Sequence, residues 1–253
     1  MKPPHDHGAV AVIDDQTVKV TAFRTANVPP PMAMFELQAK SNIVDVAFSH
    51  DNSALAILHQ TGIDLYQWQT KGPRSLIPKL LSKVDFETSE DAVLSGGVLQ
   101  ISFAGKGELS LLHYNQDQKL SRFLFEADTP ESLRFETDIA TPIESLRMVV
   151  CHNDNAGAYV QASSGRLFRV DFGTTESTSI KFPILLPWVE ITTHEEETIA
   201  IGLSRNGHLY ANSRLLTKNC TSFLLTQDHV ILTTNNHLLK FIHLTSIEGR
   251  RLS

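Results

Sequence analysis

Cysteine is nearly absent. Cys151 and Cys220 are the only two, so no disulfide framework can staple the chain, and the fold must rest on its own packed core. No Cys-x-x-Cys occurs, which removes the commonest zinc and redox signatures. No apolar run approaches the ~18 residues of a membrane-spanning helix. The first residues, Met1-Lys2-Pro3-Pro4-His5-Asp6-His7, hold no apolar stretch of signal-peptide type. These absences point to a soluble, intracellular chain with no membrane partner. A basic stripe is missing as well. The net charge is −6 and Lys and Arg are scattered, with one small pair at Arg250-Arg251, which argues against direct nucleic-acid binding by this surface. Hydrophobic content of 42% and charged content of 20% are those of a globular chain rather than a disordered one.

What the sequence has in quantity is one short phrase. It reads Ala56-Ile57-Leu58-His59-Gln60-Thr61-Gly62-Ile63-Asp64-Leu65-Tyr66, and returns over 111–120, 159–168, 201–210 and 231–241. Each copy is an apolar strand, a polar turn usually carrying Gly or Asn, and a second strand. Gly and Asn tolerate the positive φ that tight hairpins demand. Gly165 and Gly207 lie 42 residues apart, while Gly207 and Asn236 are only 29 apart, so the last unit is compressed.

A further alternating strand precedes each hairpin: Val44–Phe48, Leu99–Phe103, Ile143–Val149, Val189–Thr193 and Thr221–Leu225. Period-two alternation between Asx and Gly clusters is the strand signal. Each unit thus reads as three strands with a more variable fourth. An earlier hairpin, Val10–Ile13 with Val18–Phe23, reads as the last two strands of a blade that begins outside the chain. A β-sandwich or barrel would share the many short strands, but a repeat with content as well as rhythm favours a propeller. The Trp-Asp dipeptide of standard repeats is missing, Trp68 not being followed by Asp. The expected fold is therefore all-β: a degenerate WD40-like β-propeller, incomplete, of about five to six blades. Residues 1–9 read as a disordered N-terminal tail, 10–245 as the propeller segment, and 246–253 as a C-terminal tail or the start of a further region.

Motifs for chemistry are weak. His5 and His7 around Asp6 lack further ligands. Cys151-His152 reads as a core cysteine beside a solvent-facing histidine. Gly105-Lys106-Gly107 lacks the remainder of a phosphate loop and reads as a β-turn. The acidic stretches Asp85-Phe86-Glu87, Glu90-Asp91 and Glu195–Glu197 read as solvated loops. No Gly-x-Ser-x-Gly elbow occurs. Phe48, Phe103, Phe223 and Phe241 read as blade-packing core, and so does Trp188, with an interface anchor as its second reading. No catalytic, cofactor-binding or metal residue is assigned, and no cofactor.

One more landmark is Asn27-Val28-Pro29-Pro30-Pro31-Met32, whose triple proline cannot join a sheet ladder. It sits between Val20–Arg24 and Val44–Phe48; far downstream come Ile199–Leu203, Leu209–Asn212, Asn219–Phe223 and Leu232–His237. In this order the segments resemble the largest subunit of the Elongator complex, the IKAP family. The resemblance runs from Val10 to Leu244 and is strongest at its two ends, the stretch 71–135 being generic. It implies a second N-terminal propeller from a protein that continues into a helical solenoid and a dimerising C-terminal part. It also implies a cytoplasmic scaffold with a minor nuclear pool, acting in tRNA wobble-uridine modification. The chemistry would belong to a separate iron–sulfur acetyltransferase subunit. Partners would be the other Elongator subunits, with tRNA met only indirectly and dimerisation a property of the full-length family alone. A propeller scaffold of coat or nuclear-pore type is the alternative, and a propeller enzyme ranks behind both.

Overall fold

The computed structural model describes residues 7–24, 32–49, 51–70, 76–86, 98–103, 108–115, 119–126, 133–139, 157–172, 177–195, 197–226 and 228–248. They fall into two compact units, Met1–Ile139 and Ala140–Ser253.

Unit 1 holds three antiparallel sheets. The first runs β1 (Ala9–Asp14), β2 (Thr17–Ala22), β3 (Phe35–Gln38). The second runs β4 (Ile43–Phe48), β5 (Ala54–His59), β6 (Gly62–Thr70), β7 (Leu76–Asp85). The third holds β8 (Val98–Phe103), β9 (Glu108–Tyr114), β10 (Leu120–Glu126) and β11 (Leu133–Ile139), also in chain order. Unit 2 repeats the plan. Its sheets are β12 (Gly157–Gln161), β13 (Arg166–Asp171), β14 (Ser177–Lys181); then β15 (Trp188–His194), β16 (Glu197–Leu203), β17 (Leu209–Ala211), β18 (Arg214–Thr217); then β19 (Cys220–Leu225), β20 (His229–Thr234), β21 (Leu239–His243). A short helix, α1 (Thr245–Glu248), follows. No described helix is long and apolar enough to cross a membrane.

All five copies of the repeated phrase are hairpins, and the expected third strands fall on β4, β8, β15 and β19. The expected strand Ile143–Val149 lies outside the described residues. The first hairpin needs a correction: β1 and β2 are not the last two strands of their sheet, because β3 pairs with β2 through Val18↔Leu37 and Val20↔Phe35. Phe35-Glu36-Leu37-Gln38 alternates as a strand should, but only four residues of it do. Trp68 lies within β6 rather than after a strand.

Packing explains why a sheet here needs neighbours. Along β5, Leu55 and Ile57 meet Val18, Val20 and Leu37 of the first sheet. Ala56 and Leu58 point the other way, against Ile101, Phe103, Leu109 and Leu111 of the third. Both faces of a middle strand are thus buried, which is why β5 reads as a continuous apolar run rather than an alternating one. In unit 2, Ala200 of β16 packs with Tyr159 and Leu167 of the preceding sheet and with Phe182 just after it. Its neighbours Ile199 and Ile201 pack with Cys220, Val230 and Leu232 of the following one. Side-by-side stacking of small antiparallel sheets is propeller packing.

The turns reveal a second regularity. At 162–166, 204–208 and 234–238 the same two bonds recur: Gly165 N to Ala162 O (2.9 Å) with Ala162 N to Arg166 O (2.8 Å), and their equivalents at Ser204 and Thr234. The left-handed residue of each is Gly165 (φ 86°), Gly207 (φ 76°) and His237 (φ 60°). This is a type I turn closed by a left-handed residue. The position equivalent to the glycines is therefore His237, not Asn235 or Asn236. Gly62 differs again: its φ is not left-handed, but a Cβ there would lie 2.1 Å from the Val84 carbonyl oxygen.

Candidate functional site

Several candidate groups lie outside the described residues: His5, Asp6, Gly105-Lys106-Gly107, Cys151-His152, Glu87, Glu90-Asp91 and Glu196. His7 is buried. Asp85 pairs with Lys40 at 2.7 Å. Among the described residues no group of three or more His, Cys, Asp or Glu could hold a metal ion. His194, His229 and His243 do approach one another, but edge-on, with ring centroids 6.2 and 4.7 Å apart.

One constellation invites a catalytic reading. His59 Nδ1 lies 3.1 Å from Ser41 Oγ and 3.2 Å from Thr61 Oγ1, and its Nε2 lies 3.8 Å from Asp64 Oδ1. His59 and Asp64 are buried, and Asp64 also meets Lys83 at 3.4 Å. The 3.8 Å gap is longer than a hydrogen bond. Ser41 Oγ also accepts the Thr61 backbone N–H at 3.2 Å. The group is a buried polar joint between the β3–β4 connection and the β5–β6 turn.

A different pair of carboxylates recurs between sheets. Asp45 of β4 accepts the Ile101 N–H of β8 at 3.1 Å on Oδ2, and its own neighbour's N–H, that of Val46, at 2.8 Å on Oδ1. Burial raises its carboxyl to about 6, against the lowering effect of these two bonds. Glu190 of β15 makes the equivalent reach, accepting the Leu225 N–H of β19 at 3.1 Å on Oε2. Burial raises that carboxyl too, the Leu225 bond opposing it. Each is the third residue of its sheet's first strand, in Ile43-Val44-Asp45 and Trp188-Val189-Glu190. Sequence reasoning missed both. Their shared place in the repeat, an acidic residue after Val on an edge strand, is the signal that finds them.

Two expectations for aromatics fail. Phe103 is buried and Phe48 and Phe223 pack partly against the core, but Phe241 is 61% exposed and Trp188 55%. The alternation places Phe241 opposite Ile231 and Leu224 in the register. Those three share the sheet face opposite to Val230, Leu232 and Ile242, which carry the core. Trp188 opens an edge strand next to Val189, and the alternation buries the valine instead. The exposed indole faces a cavity of about 390 Å³ shared with Pro187, Glu190, Leu203 and Phe223. A second cavity, of about 480 Å³, adjoins at Pro187 and is lined by Ile184, Leu186, Arg205 and Asn206. Cys220 is buried, its Sγ donating to Ser222 O at 3.3 Å, and burial raises its thiol.

Stacked small antiparallel sheets with inter-sheet polar links are the architecture of a β-propeller, here of degenerate WD40 type. Among solved structures, the WD40 domain of Toxoplasma gondii coronin matches with a TM-score of 0.54 at 8% identity, over 81% of this chain and 52% of that one. That likeness shows the fold alone. The family follows from sequence: this chain belongs to the ELP1 N-terminal second beta-propeller family, whose model matches residues 12–252. It is 28% identical over 247 residues to Elongator complex protein 1 of Schizosaccharomyces pombe, covering 96% of this chain and 19% of that protein. Elongator complex protein 1 of Saccharomyces cerevisiae is 26% identical over 268 residues, covering 98% and 19%. The putative elongator complex protein 1 of Xenopus laevis is also 26% identical, covering 94% and 23%. The chain thus spans about a fifth of the length of the curated relatives it matches.

Proposed function

We propose that this chain is a non-catalytic scaffold part of the Elongator complex, supporting tRNA wobble-uridine modification through protein–protein contacts. The single observation that carries the reading is the family match over residues 12–252. Residues 10–245 act as one propeller segment. Its partners are other Elongator subunits, tRNA is engaged only through the complex, and the working site is the cytoplasm with a minor nuclear pool. Two features of the molecule agree with a contact role. The polar groups that resemble chemistry, Ser41, His59 and Asp64, are spent on internal bonds. The apolar groups that escape the core gather on a few surfaces, such as Trp188 beside Pro187, as interface anchors do.

The test is to tag the locus in its own cell, purify the product, and identify by mass spectrometry what stays bound. Recovery of the other Elongator subunits, an iron–sulfur acetyltransferase among them, is the expected result. A product that purifies with none of them refutes the assignment.

A further inference from the structure

The two inter-sheet carboxylates are equivalent in the repeat but not in what they leave open. Asp45 uses both oxygens, one on Val46 N–H and one on Ile101 N–H. Glu190 uses only Oε2, and among the described residues no group donates to its Oε1. Glu190 lines the 390 Å³ cavity at the edge of β15, whose lining contains no Lys, Arg or His. The carboxylate is half-buried but its Oε1 reaches solvent at the groove, so an incoming cation can pair with it without displacing the Leu225 bond. Beside it stands Trp188, more than half exposed, where unit 1 has Ile43 at the equivalent position. An indole face attracts cations, and arginine most often. Pro187, Leu203 and Phe223 supply apolar lining on the same cavity.

We propose that this groove in unit 2 is a docking site for a basic side chain, arginine by preference, carried by a segment of a partner protein with an apolar residue next to it. The guanidinium pairs with Glu190 Oε1, the side-chain stem lies along the Trp188 ring, and the adjacent apolar residue covers Pro187 and Phe223. Charge complementarity selects this occupant: Glu190 is the one charged residue among those lining the groove, so a basic side chain is attracted there and a phosphate is not. The inference deepens the scaffold reading and rests on it.

The experiment uses the protein as its own locus encodes it, purified with its bound subunits. Thr221, which lines the groove, is replaced by the photo-crosslinker p-benzoylphenylalanine. Crosslinked peptides are then sequenced with and without Glu190→Gln or Trp188→Ala. Glu190→Gln keeps an oxygen for the Leu225 N–H while removing the charge, and Trp188→Ala alters a side chain outside the core, so both variants fold. The expected result is a crosslink to a partner-subunit segment holding Arg or Lys beside an apolar residue. Its yield should fall about tenfold in Glu190→Gln, the scale of one charge-assisted hydrogen bond. A crosslink to a segment without a basic residue, to a second copy of this chain, to tRNA, or to nothing while the subunits still co-purify would overturn the inference and leave the scaffold reading standing. So would a yield indifferent to Glu190→Gln. Loss of every co-purifying subunit from the unmutated protein would instead remove the scaffold reading, and this inference with it.

Discussion

Asp45 makes the stability of unit 1 depend on pH in an unusual direction. A carboxyl raised from its ordinary 3.8 to about 6 binds its proton more tightly in the folded state than in the unfolded one. At 1.36 kcal/mol per pKa unit the difference is at most about 3 kcal/mol, and residual solvent contact brings it nearer 2. The folded state therefore holds more protons than the unfolded state between pH ~4 and ~6, so this group's contribution to stability falls as pH rises across that window and is level above it. Asp45→Asn cannot ionise; it keeps one oxygen acceptor, for Ile101 N–H or for Val46 N–H, and loses the other at a cost that does not vary with pH. Urea unfolding of the two proteins at several pH values, followed through buried Trp68, measures the difference directly. Relative to the parent, the variant should gain about 2 kcal/mol as pH rises from 4 to 7, on top of the pH-independent cost of the lost acceptor. Taking the difference cancels the other carboxyl groups. An offset that stays constant with pH would refute the reasoning, and so would a variant that loses ground as pH rises.

Other outcomes follow from single contacts. Gly62→Ala places a Cβ 2.1 Å from the Val84 carbonyl oxygen, so β6 and β7 must separate; thermal unfolding should show a loss of about 1–3 kcal/mol, the usual cost of overpacking. His237→Gly relieves the left-handed strain at φ 60° and should raise stability by about 1 kcal/mol in the same assay. Phe103→Ala opens the buried cluster between the second and third sheets and should cost about 3–5 kcal/mol, whereas Phe241→Ala, on an exposed edge strand, should stay within about 0.5 kcal/mol.

The hairpins were legible because each carries its own instructions: alternating apolar residues to pair, and a turn residue to reverse the chain. The repeat then implied stacking, since runs such as Leu55-Ala56-Ile57-Leu58 bury both faces and need a sheet on each side. What stayed hidden needs contacts remote in sequence. Asp45 reaches Ile101 across 56 residues and Glu190 reaches Leu225 across 35, and an acidic residue inside a strand reads locally as a solvated one. The short strand β3 is not legible, because four residues after a proline run carry little periodicity. Phe241 and Trp188 were misplaced for one shared reason. Alternation says that neighbouring side chains take opposite faces, but not which face is covered: one face of β21 lies exposed at Phe241, and Trp188 is exposed at the very start of β15 although Glu190 on the same face is half-buried.

The most direct measurement of the scaffold claim is made in the native cell. Residues 10–245 are deleted at the locus, and two quantities are read together: wobble-uridine modification in bulk tRNA by mass spectrometry, and the set of Elongator subunits that still co-purify with one another. The account expects modification and subunit association to fall together, because the segment acts through contacts. Modification lost from a complex that remains fully assembled would contradict it, placing the segment in the chemistry or on the tRNA itself.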